Sequence, residues 1–227
     1  MIYPKDSDLK PVVTGKVFDL IAKDQSWQCD EILRCIEEPW YWIVNYCWTI
    51  RRDEAGSYVE RVPAKEYLKM LCQDWYANPF YAISKSRQLM VTWIMIILHL
   101  YSAMFQENIH ICFQTKKEED ADSEMIQRVR FVWQNLPIWM RRINKGKYSF
   151  CKFQFEKRNT IIRGIPAGGD QIRSHNPNYL LTDEIAFQPD AEESYAAALA
   201  CCQRITLVTS ANPGWSSDFY NDRLRVA

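Results

Sequence analysis

Residues 93–105, WIMIILHLYSAMF, are the longest apolar run in the chain. A helix that crosses a bilayer needs about 20 such residues. This run is shorter and carries His99, so it reads as a helix buried inside a protein. Just upstream, NPFYAI (78–83) reads as a short strand, and SKSRQLMVT (84–92) as a polar loop opening the helix. A strand, a polar loop and a buried helix are the local layout of a phosphate-binding loop. The usual pattern, Gly, four residues, Gly-Lys-Ser/Thr, fits poorly over 85–92. It puts Lys85 at the first glycine, Met90 at the second, Val91 at the lysine and Thr92 at the hydroxyl, and only Thr92 agrees. A damaged loop, a different kind of loop and no phosphate loop at all remain open on these residues alone.

The alternation continues along the chain. Residues 27–50 carry apolar side chains at roughly helical spacing (Ile32, Cys35, Ile36, Trp40, Ile43, Val44, Cys47) and read as helix,. RRDEAGSYVERV (51–62) reads as a hairpin or loop around a glycine turn. Pro63 opens an expected helix over 64–76, since proline is tolerated in the first turn. IHICF (109–113) reads as a strand and 115–137 as a helix, its charged start KKEEDAD a solvated first turn,. Residues 148–155 and 159–164 are strand-like, IPAGGDQIRSHNPN (165–178) a loop, 192–202 a helix and RITLVTSA (204–211) a strand. Strands alternating with helices predict an α/β fold with a mostly parallel sheet covered on both faces. No internal repeat is present.

With 227 residues, one large domain or a domain with an appendage is expected,. Lys and Arg number 28, as do Asp and Glu, so net charge is zero. A surface that grips nucleic acid throughout would be basic, so any such contact must be local. The 8 cysteines form no Cys-x-x-Cys pair and the 3 histidines are isolated, which argues against zinc and for reduced core thiols,. No signal peptide is apparent.

YLLTDE (179–184) delivers Asp183 and Glu184 to the C-terminal end of a strand. That edge is where open α/β sheets bind ligands. In phosphate-loop NTPases one acid there orders Mg²⁺ and a second polarises the attacking water.

Taken in order, these stretches resemble the large terminase subunit of tailed bacteriophages, the ATPase that drives DNA into procapsids. SRQLMVT is similar to that family's Ser-Arg-Gln-x-Gly-Lys-Thr loop. IHICF with the following helix, ending in Leu-Pro, is similar to its second strand. DQIRSHNPNYLLTDE is similar to the arginine segment leading to its acidic strand, LVTSANPGWSSDFY to its motif III, and EEPWYWIVNYCWTI to its aromatic segment near the adenine. The resemblance runs from about residue 37 to 221. It implies a P-loop NTPase fold (ASCE/RecA-like) binding ATP and Mg²⁺, with residues 1–60 an aromatic, helical segment on the adenine side and 61–227 the ATPase core.

The resemblance also implies roles. Some members carry the loop lysine at its start, which is where Lys85 stands. A flexible ammonium can reach β/γ oxygens from either end of a loop that wraps them. Lys85, Ser86, Arg87, Gln88, Leu89, Met90, Val91 and Thr92 would hold the nucleotide, with Thr92 and Asp183 on Mg²⁺. Glu184 would activate water, and Arg173 would act on a neighbour's ATP, with Ser174 in place of the family's glycine. Thr209, Ser210, Ala211 and Asn212 would couple hydrolysis to movement. The family's adenine-contacting Gln is replaced by Lys65 or Glu66. Trp40, Tyr41 and Trp42 are candidates for stacking on the base, against a core reading of tryptophans at helical spacing. Implied partners are double-stranded DNA, the portal of the procapsid, the small terminase subunit and further copies in a ring, expected to be a pentamer, with a monomer in isolation. The implied location is the host cytoplasm. With the chain stopping at 227, the family's nuclease domain is expected to be absent. A helicase-like ATPase and a degenerate, non-hydrolysing assembly module are the alternatives.

Overall fold

A computed structural model describes residues 26–53, 56–86 and 89–210. Arg87, Gln88, Ala211 and Asn212 lie outside them.

The buried-helix reading holds. Helix α4 (Val91–Phe105) has fourteen buried residues, all but Trp93. Among the described residues, seven strands form one sheet in the order β3-β9-β8-β4-β7-β6-β5. Strands β3 (Phe80–Ser84), β9 (Arg204–Thr209), β8 (Tyr179–Asp183), β4 (His110–Gln114) and β7 (Thr160–Ile165) are mutually parallel. Strands β6 (Lys152–Phe155) and β5 (Gly146–Ser149) continue it antiparallel. One cluster of buried side chains joins α4 to the N-terminal helices, and a second lies under α7 (Gly169–His175) and α8 (Ala191–Cys201). The α/β architecture with a mostly parallel sheet is thus as expected.

Several local expectations need correction. The helix expected over 27–50 is two helices and the start of a hairpin: α1 (Ser26–Glu37), α2 (Pro39–Tyr46) and β1 (Trp48–Asp53), which pairs with β2 (Gly56–Arg61). Pro39, lacking an N–H, cannot continue α1 and instead opens α2. Pro63 does not open the next helix. A Lys65 N–H to Pro63 O bond of 2.8 Å holds these residues in a turn, and α3 spans Glu66–Ala77.

The stretch 148–155 is not one strand. β5 and β6 turn back on one another at Cys151, whose φ of 52° is left-handed. The loop expected over 165–178 contains helix α7. The helix expected over 115–137 is α5, in three contiguous pieces: Glu118–Asp120, a π-helical Ala121–Ile126 and Gln127–Asn135. It is followed by α6 (Ile138–Ile143). Residues 116–120 are exposed, but Asp122 is buried, which corrects the solvated reading of the whole charged run. Its carboxylate accepts from Tyr148 Oη (3.0 Å), Gln127 Nε2 (3.0 Å) and the Cys151 N–H (2.8 Å), tying α5 to the β5–β6 turn. The helix packs so closely on β7 that a Cβ on Gly164 would lie 2.9 Å from Ala121 Cβ.

The tryptophans behave as core. Trp42 is fully buried, packs on Tyr101 (ring centroids 5.5 Å apart) and Phe105 (6.0 Å), and donates Nε1–H to Met140 Sδ. Trp40 is buried as well. Neither presents a face to a base. His99 sits against Trp75 and Phe113, where burial lowers its pKa to about 3 and keeps it neutral,.

Candidate nucleotide site

The site is assembled at the C-terminal ends of β3, β9 and β8 and the first turn of α4. β9 lies between the strand that feeds the loop and the strand that carries the acids. The Asp183↔Val208 and Ser84↔Thr209 pairings bring the three strand ends level. Lys85 leaves the sheet with its N–H still bonded to Thr209 O at 2.8 Å.

Its ammonium is the centre of the group. Lys85 Nζ lies 2.7 Å from Glu184 Oε1 and 3.9 Å from Asp183 Oδ1, with the Lys85 side chain only 13% exposed. Thr92 Oγ1–H, in the first turn of α4, donates to Asp183 Oδ1 at 3.3 Å. Four residues singled out in the sequence therefore meet in one place. Burial pushes the Asp183 carboxyl above the usual carboxylate range, and Lys85 only partly counters it,. Burial also acts upward on Glu184, but the hydrogen bonds from Lys85 and Ser210 outweigh it and hold its carboxyl below the usual range.

Glu184 is gripped at both oxygens. Oε1 takes Lys85, while Oε2 accepts the Ser210 N–H (2.9 Å) and Ser210 Oγ–H (2.8 Å). Its backbone is left-handed, φ 51°, which turns the chain sharply after β8. Thr209 Oγ1 accepts the Ala186 N–H at 3.2 Å. Thr209 and Ser210 thus touch the acidic turn directly.

Met90, read in the sequence at a glycine position of the loop pattern, has the left-handed backbone that glycine favours, φ 57° and ψ 8°. Its carbonyl accepts the Ile94 N–H, so it acts as the N-cap of α4. Leu89 is exposed, and its carbonyl accepts from Tyr67 Oη at 3.3 Å.

Arg173 is not brought to this group. It lies exposed on α7, paired with Asp170 (2.8 Å) and Glu193 (2.9 Å), and those bonds raise its pKa. Two contributors, Gln188 and Arg128, escaped the sequence reading. Gln188 Nε2 donates to Asp183 O at 2.7 Å and bridges to Gln114 O at 3.4 Å. Arg128 on α5 acts electrostatically on Asp183 while its guanidinium lies 5.1 Å over the Trp93 ring. Ser210, assigned to coupling, also orients Glu184. Gln188 is near Asp183 in the chain, but Gln114 and Arg128 are far from the acids and leave no local pattern.

No protein-family model matches the sequence, and no curated protein matches it. Solved structures do. The large terminase of bacteriophage HK97 superposes with a TM-score of 0.63 at 17% identity, over 82% of this chain and 40% of that one. The large terminase of the thermophilic bacteriophage D6E, in complex with ADP, superposes with a TM-score of 0.56 at 15% identity, over 72% and 43%. The chain therefore shares the fold of these large terminases over their superposed parts. The chain spans less than half the length of either terminase. In this fold Lys85 follows β3 and Glu184 follows β8, with β9 between the two strands.

Proposed function

We propose that this chain is the ATPase motor part of a phage large terminase, hydrolysing ATP to move double-stranded DNA into a procapsid. The observation that carries this reading is the contact of Lys85 with Glu184 and Asp183, with Thr92 on the same Asp183, at the ligand-binding edge of a P-loop NTPase sheet,.

The side chains suit the chemistry. Thr92 and Asp183 are oxygen donors of the kind Mg²⁺ takes, and they would hold that ion. When bound, it would neutralise charge on the outer phosphates. Lys85 binds the phosphates as a point charge. Its ammonium occupies Glu184 Oε1, so moving it to phosphate releases that oxygen. Oε2 stays with Ser210. Glu184 then takes a proton from the attacking water as the water oxygen bonds to the γ-phosphorus and the bond to ADP breaks, giving ADP and phosphate.

In this reading residues 86–92 cradle the nucleotide, and 209–212 couple hydrolysis to DNA movement. Arg173, exposed and away from its own Glu184, is suited to a neighbour's ATP in a ring of copies,. The portal and the small terminase subunit are the further partners, in the host cytoplasm. ADP and an ATP analogue, both bound by the D6E terminase, support the choice of ligand.

The test is turnover by Glu184→Gln, which keeps shape but removes the proton acceptor. Turnover is expected to fall by roughly 10²–10⁴-fold, with fluorescent ATP analogue binding retained. Undiminished turnover overturns the assignment. Lys85→Ala should weaken nucleotide binding more than Val91→Ala, and the reverse order would remove Lys85 from the site. A degenerate, non-hydrolysing module is the second reading, favoured by the Met90 side chain where a glycine is usual. It predicts thermal stabilisation by ATP without turnover, even with portal and DNA present.

A further inference from the structure

The zero net charge conceals a strong segregation. From Met125 to Gly169 the chain has ten Lys and Arg residues and one acid, Glu156. The remainder of the chain therefore carries 18 cations against 27 acids. This basic stretch builds the second half of α5, then α6, β5, β6 and β7, and so forms the antiparallel end of the sheet.

We infer that this end of the sheet is a binding surface for the phosphate backbone of duplex DNA. The register places the cations together. Ser149 pairs with Lys152 and Lys147 with Gln154, which puts these four on one face of the hairpin, and Lys152 pairs in turn with Arg163,. The opposite face of the hairpin, with Phe153 and Phe155, is buried against the Trp133 side of α5. The core cluster under α7 and α8 contains no residue of β5 or β6, so it does not cover the Lys147–Lys152 face. Arg142 and Lys145, shortly before β5 in the chain, are exposed. Arg163 Nε is buried with no hydrogen-bond partner among the described residues. Glu156 lies 3.3 Å from Lys147 Nζ, and Asp122, Glu118 and Glu119 of α5 face the hairpin turn at Cys151. Phe150, 61% exposed, stands at the hairpin tip.

Lysines on an edge strand also discourage strand-to-strand aggregation. That device needs only a charge or two, of either sign. At the other edge β3, FYAIS, has none, so edge protection is not a general requirement of this sheet. A rigid polyanion with one charge per about 1.7 Å of axis is the partner that a predominantly cationic rim complements.

The inference rests on the proposed function for the choice of duplex over other polyanions. The test is fluorescence anisotropy of a labelled 30-base-pair duplex with the 227-residue chain, at a series of salt concentrations and without nucleotide. Changing Lys145, Lys147 and Lys152 together to Glu should weaken binding at least tenfold. It should also make the plot of log K against the logarithm of salt concentration shallower, by about 0.9 in slope for each phosphate that is no longer neutralised. The triple Arg replacement should bind like the parent, as should Lys116→Glu outside the segment. Arg142→Glu, at an exposed helical position, serves if the triple Glu variant does not melt like the parent. Unchanged duplex binding by the Glu variants overturns the inference. So does a parent that prefers single-stranded DNA, RNA or anionic vesicles. Turnover reports separately: an active ATPase with no duplex binding defeats this surface alone, whereas duplex binding that depends on Lys145, Lys147 and Lys152 in an inactive chain defeats the motor reading alone.

Discussion

Ser210 donates two hydrogen bonds, from its N–H and its Oγ–H, to the same carboxylate oxygen of Glu184. The proposed base is thus fixed at Oε2 and exchangeable at Oε1. Hydrogen bonds to the ionised form lower a carboxyl pKa, so removing the hydroxyl raises it. Ser210→Ala should lower kcat by roughly 10–100-fold, since a hydrogen bond to a charged group contributes about 1.5–3 kcal/mol. KM for ATP should hold, and the acid limb of the pH–rate profile should move to higher pH. A profile that drops in height without moving would make Ser210 a structural residue only.

The strand–loop–helix at 79–105 and the acidic strand were legible because each is a local pattern: an apolar run of the right length, then a change of polarity. The seven-strand order was not, because the β5–β6 turn depends on Asp122 reaching 29 residues to the Cys151 N–H. Trp48–Ile50, the start of β1, was misread as helix because so short a span fits both periods, whereas the hairpin reading from Arg51 held. Lys85 was a candidate only through the resemblance to family members that carry the lysine at the start of the loop. Its partner Glu184 lies 99 residues away, and pairing of β8 with β9 is what closes that gap.

Lys85 keeps two carboxylates compatible in one partly buried place, which predicts a pH-dependent stability defect on its removal. Burial raises Asp183's folded pKa, so its ionisation costs stability once pH passes the unfolded value of about 3.9,. Glu184 has the opposite sign: its lowered folded pKa contributes stability above about 4.3 that is lost as pH falls,. Without Lys85 the first effect grows and the second shrinks. Lys85→Ala should be less stable than the parent by roughly 1–3 kcal/mol at pH 7.5, a figure kept below that of a fully buried pair because Glu184 is 38% exposed,. The deficit should narrow below about pH 4. Melting curves of both proteins at about pH 3 and pH 7.5 decide it, and an equal deficit at both would rule out the electrostatic account.

Met90 holds a left-handed backbone that costs a non-glycine residue about 1–2 kcal/mol,. Met90→Gly relieves that cost but gives up packing against the core and gains chain entropy when unfolded,. The net change in stability should stay within about 1 kcal/mol, with tighter nucleotide binding as the side chain leaves the loop. Met90→Val, β-branched, should instead destabilise by roughly 1–2 kcal/mol. Urea denaturation and nucleotide titration of the pair would check both.

Asp122 satisfies three donors from inside a π-turn. Asp122→Ala leaves the Cys151 N–H unpaired in a buried, left-handed turn and should cost about 2–4 kcal/mol. Asp122→Asn retains an acceptor and should cost about half as much. Equal losses in a denaturant titration would mean that the charge, not the turn, is what matters there.

Lys85 takes its position from the last rung of the sheet, through its N–H on Thr209 O, and β9 is laddered in turn to the acid strand. Its separation from Asp183 and Glu184 is therefore indexed by backbone pairing across β9 and owes nothing to the course of the loop between 86 and 90. A cation rooted there tolerates insertions, deletions and side-chain exchange in the loop that a cation carried at the far end would not. The course of residues 86–90 is thereby uncoupled from the distance on which the proposed chemistry depends.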